Sequence, residues 1–171
     1  MTSILKVDNI QNSSGTSAMT IASDGDLTIS NNLHLTGQPI FCARGRASTF
    51  SFSVSGHTGI KFNTVDVNRG SMYSTSTGQV TIPETGIYRL SFTMGNASPS
   101  NDNTYVGLFI FLGTTRLVEG WVRNAGYDHT AHCEVIKEFT SGDVITYTYA
   151  DAYGTPSDQD SELTATAVMI A

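Results

Sequence analysis

Charged residues are scarce in this chain, and those present are mostly acidic. They make up 14% of the 171 residues, against about 25% in ordinary soluble domains. Nine Lys and Arg stand against fifteen Asp and Glu, so the formal net charge is −6. A protein that binds nucleic acid through its phosphates needs a basic surface. The charge balance therefore argues against nucleic acid as a partner.

Long apolar runs are missing as well. The longest one, Val106 to Leu112, is interrupted by Gly107 and is far shorter than the roughly 20 residues that span a membrane. The opening residues, Met1 to Asp8, lack the charged and then apolar stretches of a secretory signal. We therefore expect no membrane contact, and we expect synthesis in the cytoplasm without a signal peptide.

Cysteine is rare, and the two present are too few for a disulfide framework. In an extended strand Cys42 shares a face with Arg44, whereas Cys133 shares an apolar face with Ala131 and Val135. Because the cytoplasm is reducing, we expect both to be free thiols.

Ser, Thr, Asn and Gly take the place of the missing charge, and they favour turns and strand surfaces over helices. No window of twelve residues keeps a helical apolar period. Short strands at this spacing predict an all-β sandwich or a barrel-like jelly roll. From residue 41 onward the strand candidates are 41–46, 49–54, 59–62, 70–74, 79–82, 87–94, 104–112, 115–122, 130–139, 143–149 and 163–170.

Residues 1–40 follow a different pattern, which predicts a fibrous β stem ahead of a head formed by residues 41–171. Apolar pairs alternate along very short strands that are separated by Gly, Asn and Asp turns. A chain with so few apolar residues cannot offset its own ordering entropy, so the stem is either a flexible tail or buries its stripe against identical copies. The predicted stem contacts between copies are Ile4, Leu5, Val7, Ile10, Met19, Ile21, Leu27, Ile29, Leu33 and Leu35.

Alternation in the head indicates which strand faces are buried. Residues 87–94 carry one apolar face, whereas both faces of residues 105–112 are apolar, so the second face must meet a loop or another subunit. The apolar final strand is expected to be central. The predicted head core includes Phe41, Tyr73, Ile82, Tyr88, Leu90, Phe92, Leu108, Ile110, Val135 and Val168.

The segment from Gly70 to Phe92 carries a recognisable pattern. Gly70-Ser71-Met72-Tyr73, Thr77-Gly78-Gln79-Val80 and Ile82-Pro83-Glu84-Thr85-Gly86-Ile87-Tyr88, followed by Phe92, resemble the globular head of complement component one, subcomponent q, a tumour-necrosis-factor-like jelly roll. Phe139 to Ile145 resembles a late turn of that family, and Phe41-Cys42-Ala43 its opening strand. The resemblance implies a ten-stranded jelly-roll sandwich that assembles as a homotrimer.

The stem resembles the N-terminal segments of fibre proteins from tailed bacteriophages, especially those that infect marine cyanobacteria. The matching residues are Ile4 to Gln11 and Gly25 to Ile29. The implied function is a phage virion structural protein, a trimeric fibre or spike, bound to other virion proteins through its stem. The head would serve assembly and adhesion to a host-surface glycan or protein. The alternatives are a capsid decoration protein that stabilises the shell and a carbohydrate- or protein-binding module.

Motifs for catalysis or for a cofactor are not apparent in the sequence, so we expect neither an enzyme nor a cofactor. His129 and His132 point to opposite faces of a strand, and Ser53 to His57 reads as a turn rather than a nucleophile elbow. Asp158, Asp160 and Glu162 are weak candidates for a calcium site, because no glycine folds them around an ion.

Three aromatic residues stand near Asn and Asp and are candidates for a ligand-binding surface: Trp121, Tyr127 and Tyr153. Aromatic rings flanked by polar groups suit carbohydrate and protein contacts. The alternative is that Trp121 belongs to the core and the tyrosines fill the edge of the sandwich.

Overall fold

Short strands joined by turns form the part of the chain that the computed structural model describes, which is residues 9–11, 14, 17–21, 23, 27–29, 37–95, 105–123, 130–151 and 163–171. The strands are β1 (Asn9–Gln11), β2 (Ser17–Ile21), β3 (Leu27–Ile29), β4 (Ile40–Ser51), β5 (Thr58–Arg69), β6 (Tyr73–Ser74), β7 (Gln79–Thr81), β8 (Gly86–Met94), β9 (Tyr105–Leu112), β10 (Thr115–Arg123), β11 (Ala131–Phe139), β12 (Val144–Asp151) and β13 (Leu163–Met169). None of the described residues forms a helix that could cross a membrane.

The chain divides into two units, Met1–Thr36 and Gly37–Ala171. In the first unit β1, β2 and β3 form an antiparallel sheet. Ile10 pairs with Met19, Met19 pairs with Ile29, and Ile21 pairs with Leu27. The alternating apolar positions of the sequence therefore meet in register across this sheet. Ile4, Leu5, Val7, Leu33 and Leu35, also predicted as stem contacts, lie outside the described residues.

The second unit, called the head below, is a β sandwich. Its hydrogen-bonded strand order is β10-β9-β12-β5-β4-β13-β8-β11, and β7 attaches to β12 and β6 to β7. We call β5, β4, β13, β8 and β11 the front sheet, and β12, β9, β10, β7 and β6 the back sheet. Tyr147 of the back sheet donates a hydrogen bond to the carbonyl oxygen of Thr166 in the front sheet at 2.7 Å. That bond joins the two layers through the core.

The opening of the head differs from the sequence-based expectation. Residues 41–46 and 49–54, predicted as two strands, lie mostly in the single strand β4, which pairs with β5 along its length. The interruption is a bulge rather than a turn, because Gly45 has φ +65° and the register shifts between Arg46 and Ser48. Because β4 and β5 stay paired on both sides of the bulge, β5 also extends beyond Phe62, its predicted end, to Arg69.

Most of the predicted core residues are buried between the two sheets: Phe41, Tyr73, Ile82, Tyr88, Leu90, Phe92, Leu108 and Ile110. Val135 is half-buried and packs against this cluster. Val168 is a correction to the predicted core. The core side of β13 is formed by Leu163, Ala165 and Ala167, so Val168 points to the outer side of the front sheet.

The last strand is central, as its apolar sequence predicted, because β13 pairs with β4 on one side and β8 on the other. The beginning and end of the head meet at one end of the sandwich. Pro39 accepts a hydrogen bond from Met169 N–H, and Ala171 accepts one from Ile87 N–H at 2.6 Å. Residues 37–40 therefore pack with the head, and the second compact unit includes them.

Candidate functional site

The outer side of the back sheet carries an aromatic row on β9. Alternation directs Tyr105, Gly107, Phe109 and Phe111 away from the core, on the side opposite Leu108 and Ile110. Phe109 and Phe111 are nevertheless buried. This is the second apolar face that the sequence predicted for this strand, and something other than the core must cover it.

The segment between β4 and β5 forms that cover. The His57 ring meets Phe109 at 4.4 Å between centroids and Phe111 at 4.9 Å, both edge to face. Phe52 meets Phe111 at 5.0 Å. The segment turns through a hydrogen bond from His57 N–H to the carbonyl oxygen of Val54. The predicted turn is thus present, and its function in the fold is to shield two phenylalanines.

Trp121 of β10 lies beside this cover and remains 49% exposed. Its ring stands perpendicular to that of Phe109 at 5.2 Å, and it lies opposite Gly107 across the strand pair. A Cβ atom at Gly107 would come within 2.7 Å of the Phe109 ring and 2.9 Å of Trp121 Cε3. The bare glycine therefore lets both rings pack down on the sheet. Of the two alternatives from the sequence, a core tryptophan is excluded by this exposure.

Tyr105 lies two residues before Gly107 on the same side of β9 and is 42% exposed. Diagonal neighbours on an antiparallel pair lie about 7–8 Å apart, within reach of aromatic side chains. We call Tyr105, Gly107 and Trp121 the aromatic platform. Tyr105 was not among the sequence candidates, although its alternation with Phe109 and Phe111 already indicated the face it occupies.

An ion pair borders the platform. Arg116 Nη1 contacts Glu119 Oε2 at 2.6 Å, and both side chains are exposed. Glu119 pairs with Phe109 and lies two residues from Trp121 on the same side of β10. Burial holds the pKa of His57 below its usual value; Arg116 lowers it further and Glu119 raises it. Nδ1 of His57 is buried with no hydrogen-bond partner among the described residues.

The outer side of the front sheet is the second exposed surface, and it carries three isoleucines. Ile87, Ile136 and Ile170 are 39%, 57% and 48% exposed. Ile170 N–H donates to the carbonyl oxygen of Ile87 at 2.8 Å. Ile136 pairs with Arg89, which lies two residues from Ile87 on the same side of β8. Arg89 contacts Glu134 at 2.6 Å. We call Ile87, Ile136 and Ile170 the isoleucine patch.

The remaining sequence candidates fall into two groups. Tyr127, Tyr153, Asp158, Asp160, Glu162 and His129 lie outside the described residues. His132 is exposed on the front sheet and shares a hydrogen bond with Thr93. Within the part of the chain that is described, no group of three His, Cys, Asp or Glu side chains could hold a metal ion.

The sequence profile of the C1q domain matches residues 41–161. The chain belongs to the C1q domain family. Solved structures of low identity share the fold. The globular domain of zebrafish complement 1qA aligns with a TM-score of 0.55 at 15% identity, over 78% of this chain and 98% of that one.

Two further structures have the same fold. Murine APRIL at pH 8.0 aligns with a TM-score of 0.55 at 14% identity, over 78% of this chain and 99% of that one. The Eiger TNF of S. frugiperda aligns at 0.53 and 11% identity, over 79% and 94%. No curated protein matches the sequence. C1q and TNF-like domains form homotrimers, bind other proteins and are generally not enzymes.

Proposed function

We propose that this chain is a structural protein of a phage particle, a homotrimeric fibre or spike. Its N-terminal unit is the stem that joins other virion proteins, and its C1q head projects and contacts the host surface. The mechanism is assembly and adhesion rather than catalysis. The protein is made in the host cytoplasm and resides on the virion.

The observation that carries this proposal is the apolar surface of the stem sheet. Ile10 and Ile21 are 47% and 40% exposed in the single chain. The three strands of this sheet have only 3, 5 and 3 residues, at the short end of the usual range, so one chain can bury little apolar area in it. Burying one such side chain contributes about 1.5–3 kcal/mol. Three copies around one axis would bring these stripes together and supply the burial that one chain lacks.

The head offers a second contact for the same assembly. The isoleucine patch exposes three large apolar side chains on one side of the front sheet, and single chains of the C1q family associate as homotrimers. A contact there would bury the patch while leaving the back sheet free.

Adhesion through the head is supported by how the strands are directed. The chain enters the head where Pro39 meets Met169. β8, β10 and β12 run towards the opposite end, where Met94 pairs with Ala131 and Leu163. The aromatic platform lies near that end, because Tyr105 pairs with Arg123, the last residue of β10. The particle-binding role of the stem rests on its resemblance to phage fibre segments.

The test of assembly is the mass of the full chain in solution. Light scattering should give three times the 18.3 kDa of one chain. The double variant Ile10→Lys with Ile21→Lys should lower that mass, because lysines replace the exposed stripe. Thr20→Lys is the control. It adds a lysine to β2 next to Ile21, on the opposite side of the strand. A single-chain mass for the unaltered protein would overturn the proposal.

The test of location is imaging of intact phage particles with a label attached to this chain. A label on fibres or spikes supports the proposal. A label spread evenly over the capsid shell would favour the decoration role, and no label on particles would exclude a virion protein.

A further inference from the structure

The aromatic platform has the features of a rigid stacking surface. Gly107 leaves the backbone bare between Tyr105 and Trp121, and the Phe109 ring at 5.2 Å supports the indole from one side. The Trp121 ring is therefore fixed before any ligand arrives. A ring with few rotatable bonds, already held in place, loses little conformational entropy on binding.

The exposed apolar area is narrow. The neighbouring Phe109 and Phe111 are already covered by His57 and Phe52, so among the described aromatic rings of this side the two platform rings are the ones left exposed. Stable protein interfaces bury about 1,200–2,000 Å² around a broad apolar centre. Two half-exposed rings suit a smaller, flatter partner. A pyranose sugar is such a partner, because it has an apolar face that can stack on a ring and hydroxyl groups around its edge.

The bordering charges specify the class of sugar. Arg116 and Glu119 neutralise each other at 2.6 Å, so this pair presents planar donors and acceptors without net charge. A carboxylate and a guanidinium of this kind hydrogen-bond well to hydroxyl groups. An anionic ligand would have to compete with Glu119 for Arg116, and a cationic one would have to compete with Arg116 for Glu119.

We propose that the aromatic platform binds a neutral saccharide chain. One pyranose face stacks on the exposed part of Trp121, the next sugar reaches Tyr105, and the hydroxyls of the stacked sugar bond to Glu119 and Arg116. This assignment rests on the proposed adhesive function and names the ligand class for it. The back sheet carries the site, and the isoleucine patch stays available for contacts between copies.

The chain provides its own reporter, because Trp121 is its only tryptophan. The full-length protein is titrated with maltohexaose, cellohexaose, chitohexaose and mannohexaose, and indole fluorescence is followed. We expect a saturable spectral change with at least one of these probes. Calorimetry with that probe should show at least roughly tenfold weaker binding for Trp121→Ala, which corresponds to about 1.4 kcal/mol.

Further variants separate binding from folding. Trp121→Phe keeps a ring and should retain part of the affinity, and Glu119→Gln should weaken binding several-fold. Thr114→Ala, at the turn of the same hairpin, is the matched control and should bind normally. Unchanged binding in Trp121→Ala, or no response to any of the four probes, would overturn the assignment. Binding to the anionic polysaccharide dextran sulfate, with no binding to the neutral probes, would also overturn the assignment.

The outcomes remain distinct from those that test the proposed function. Saccharide binding by a chain that is absent from particles would keep this assignment and overturn the virion role. A particle-bound chain whose attachment to host cells depends on Trp121, yet is not inhibited by the oligosaccharides, would overturn the saccharide in favour of a protein partner.

Discussion

The phenolic oxygen of Tyr73 accepts a hydrogen bond from the backbone N–H of Phe62 at 2.8 Å, inside the core of the head. Phe62 pairs with Arg46, where the register of β4 and β5 shifts. The Tyr73 hydroxyl thus supplies a hydrogen-bond acceptor for the backbone N–H of Phe62 beside the bulge. The Tyr73 ring also stacks on Phe41 at 4.9 Å, and burial raises the pKa of its hydroxyl, whereas the bond from Phe62 lowers it.

The first prediction is that Tyr73→Phe destabilises the head by about 1–3 kcal/mol, because it leaves a buried N–H without an acceptor. Urea unfolding measures the change. Tyr88→Phe is the matched control. It removes a donor to the Glu84 carbonyl oxygen at 2.8 Å, and this acceptor lies in an exposed turn residue that water can reach. Equal losses in the two variants would contradict the argument.

The second prediction concerns Gly120, where β10 passes β11. A Cβ atom there would overlap the carbonyl oxygen of His132. Because that oxygen is backbone, no side-chain rotation relieves the clash. Gly120→Ala should cost at least about 1–3 kcal/mol and lower the melting temperature. At Gly37 a Cβ atom would meet nothing within 4 Å, so Gly37→Ala should be nearly neutral. Similar melting temperatures for both variants would show that β10 and β11 can move apart at Gly120 with little loss of stability.

Alternation made much of the head predictable, since a strand with one apolar face reveals that face directly. The prediction from alternation was wrong at Val168. Alanines at 165 and 167 form the core side of β13, and the larger valine lies on the outer side of the strand. The size of the side chains at these positions is set by the space between the two sheets, and that space cannot be read from the sequence. The merged strand β4 was missed for a related reason, since a bulge and a turn use the same residues.

The candidate site was only partly predictable. Trp121 could be selected by type, but its neighbours could not, because His57 reaches Phe109 from a segment more than fifty residues earlier in the chain. The sequence required a cover for the second face of β9 without indicating which loop supplies it. Long-range packing of this kind depends on the topology, which local patterns do not contain.

The third prediction is a pH dependence of stability caused by His57. Burial, and then Arg116, hold its pKa below the usual 6.5, although Glu119 opposes them. As the pH falls below about 6.5, the unfolded chain binds a proton before the folded one does. Stability is therefore complete above about pH 6.5 and declines below it, down to the folded pKa.

Urea unfolding between about pH 7 and 5 measures this decline, and the window lies above the range where carboxylates titrate. His57→Gln should flatten the profile. His132→Gln removes a histidine from the exposed front sheet and is the matched control for loss of one imidazole. A profile that His57→Gln leaves unchanged would assign the effect to other groups.

The fourth prediction is an order of thiol reactivity. Both cysteines are free; Cys133 is buried and Cys42 is partly exposed. Burial raises the pKa of Cys133 to about 12. Burial and then Asp66 also raise that of Cys42, whereas Arg44 lowers it. Since the thiolate is the reactive form, a thiol reagent at pH 8 should modify Cys42 first and Cys133 only on unfolding. Faster modification of the remaining thiol in Cys42→Ser than in Cys133→Ser would reverse the order.

The fifth prediction is that the isoleucine patch holds the heads together. Ile136 is the most exposed of its three residues, so Ile136→Lys changes no core contact but places a charge where another copy would pack. Burying an unpaired ammonium is costly, and we expect light scattering to show a mass below three times 18.3 kDa. Thr115→Lys, an exposed position of the back sheet, is the control and should keep the full mass. If both variants keep it, the heads associate through another face. If both lose it, the back sheet takes part, and the saccharide site would then lie between copies.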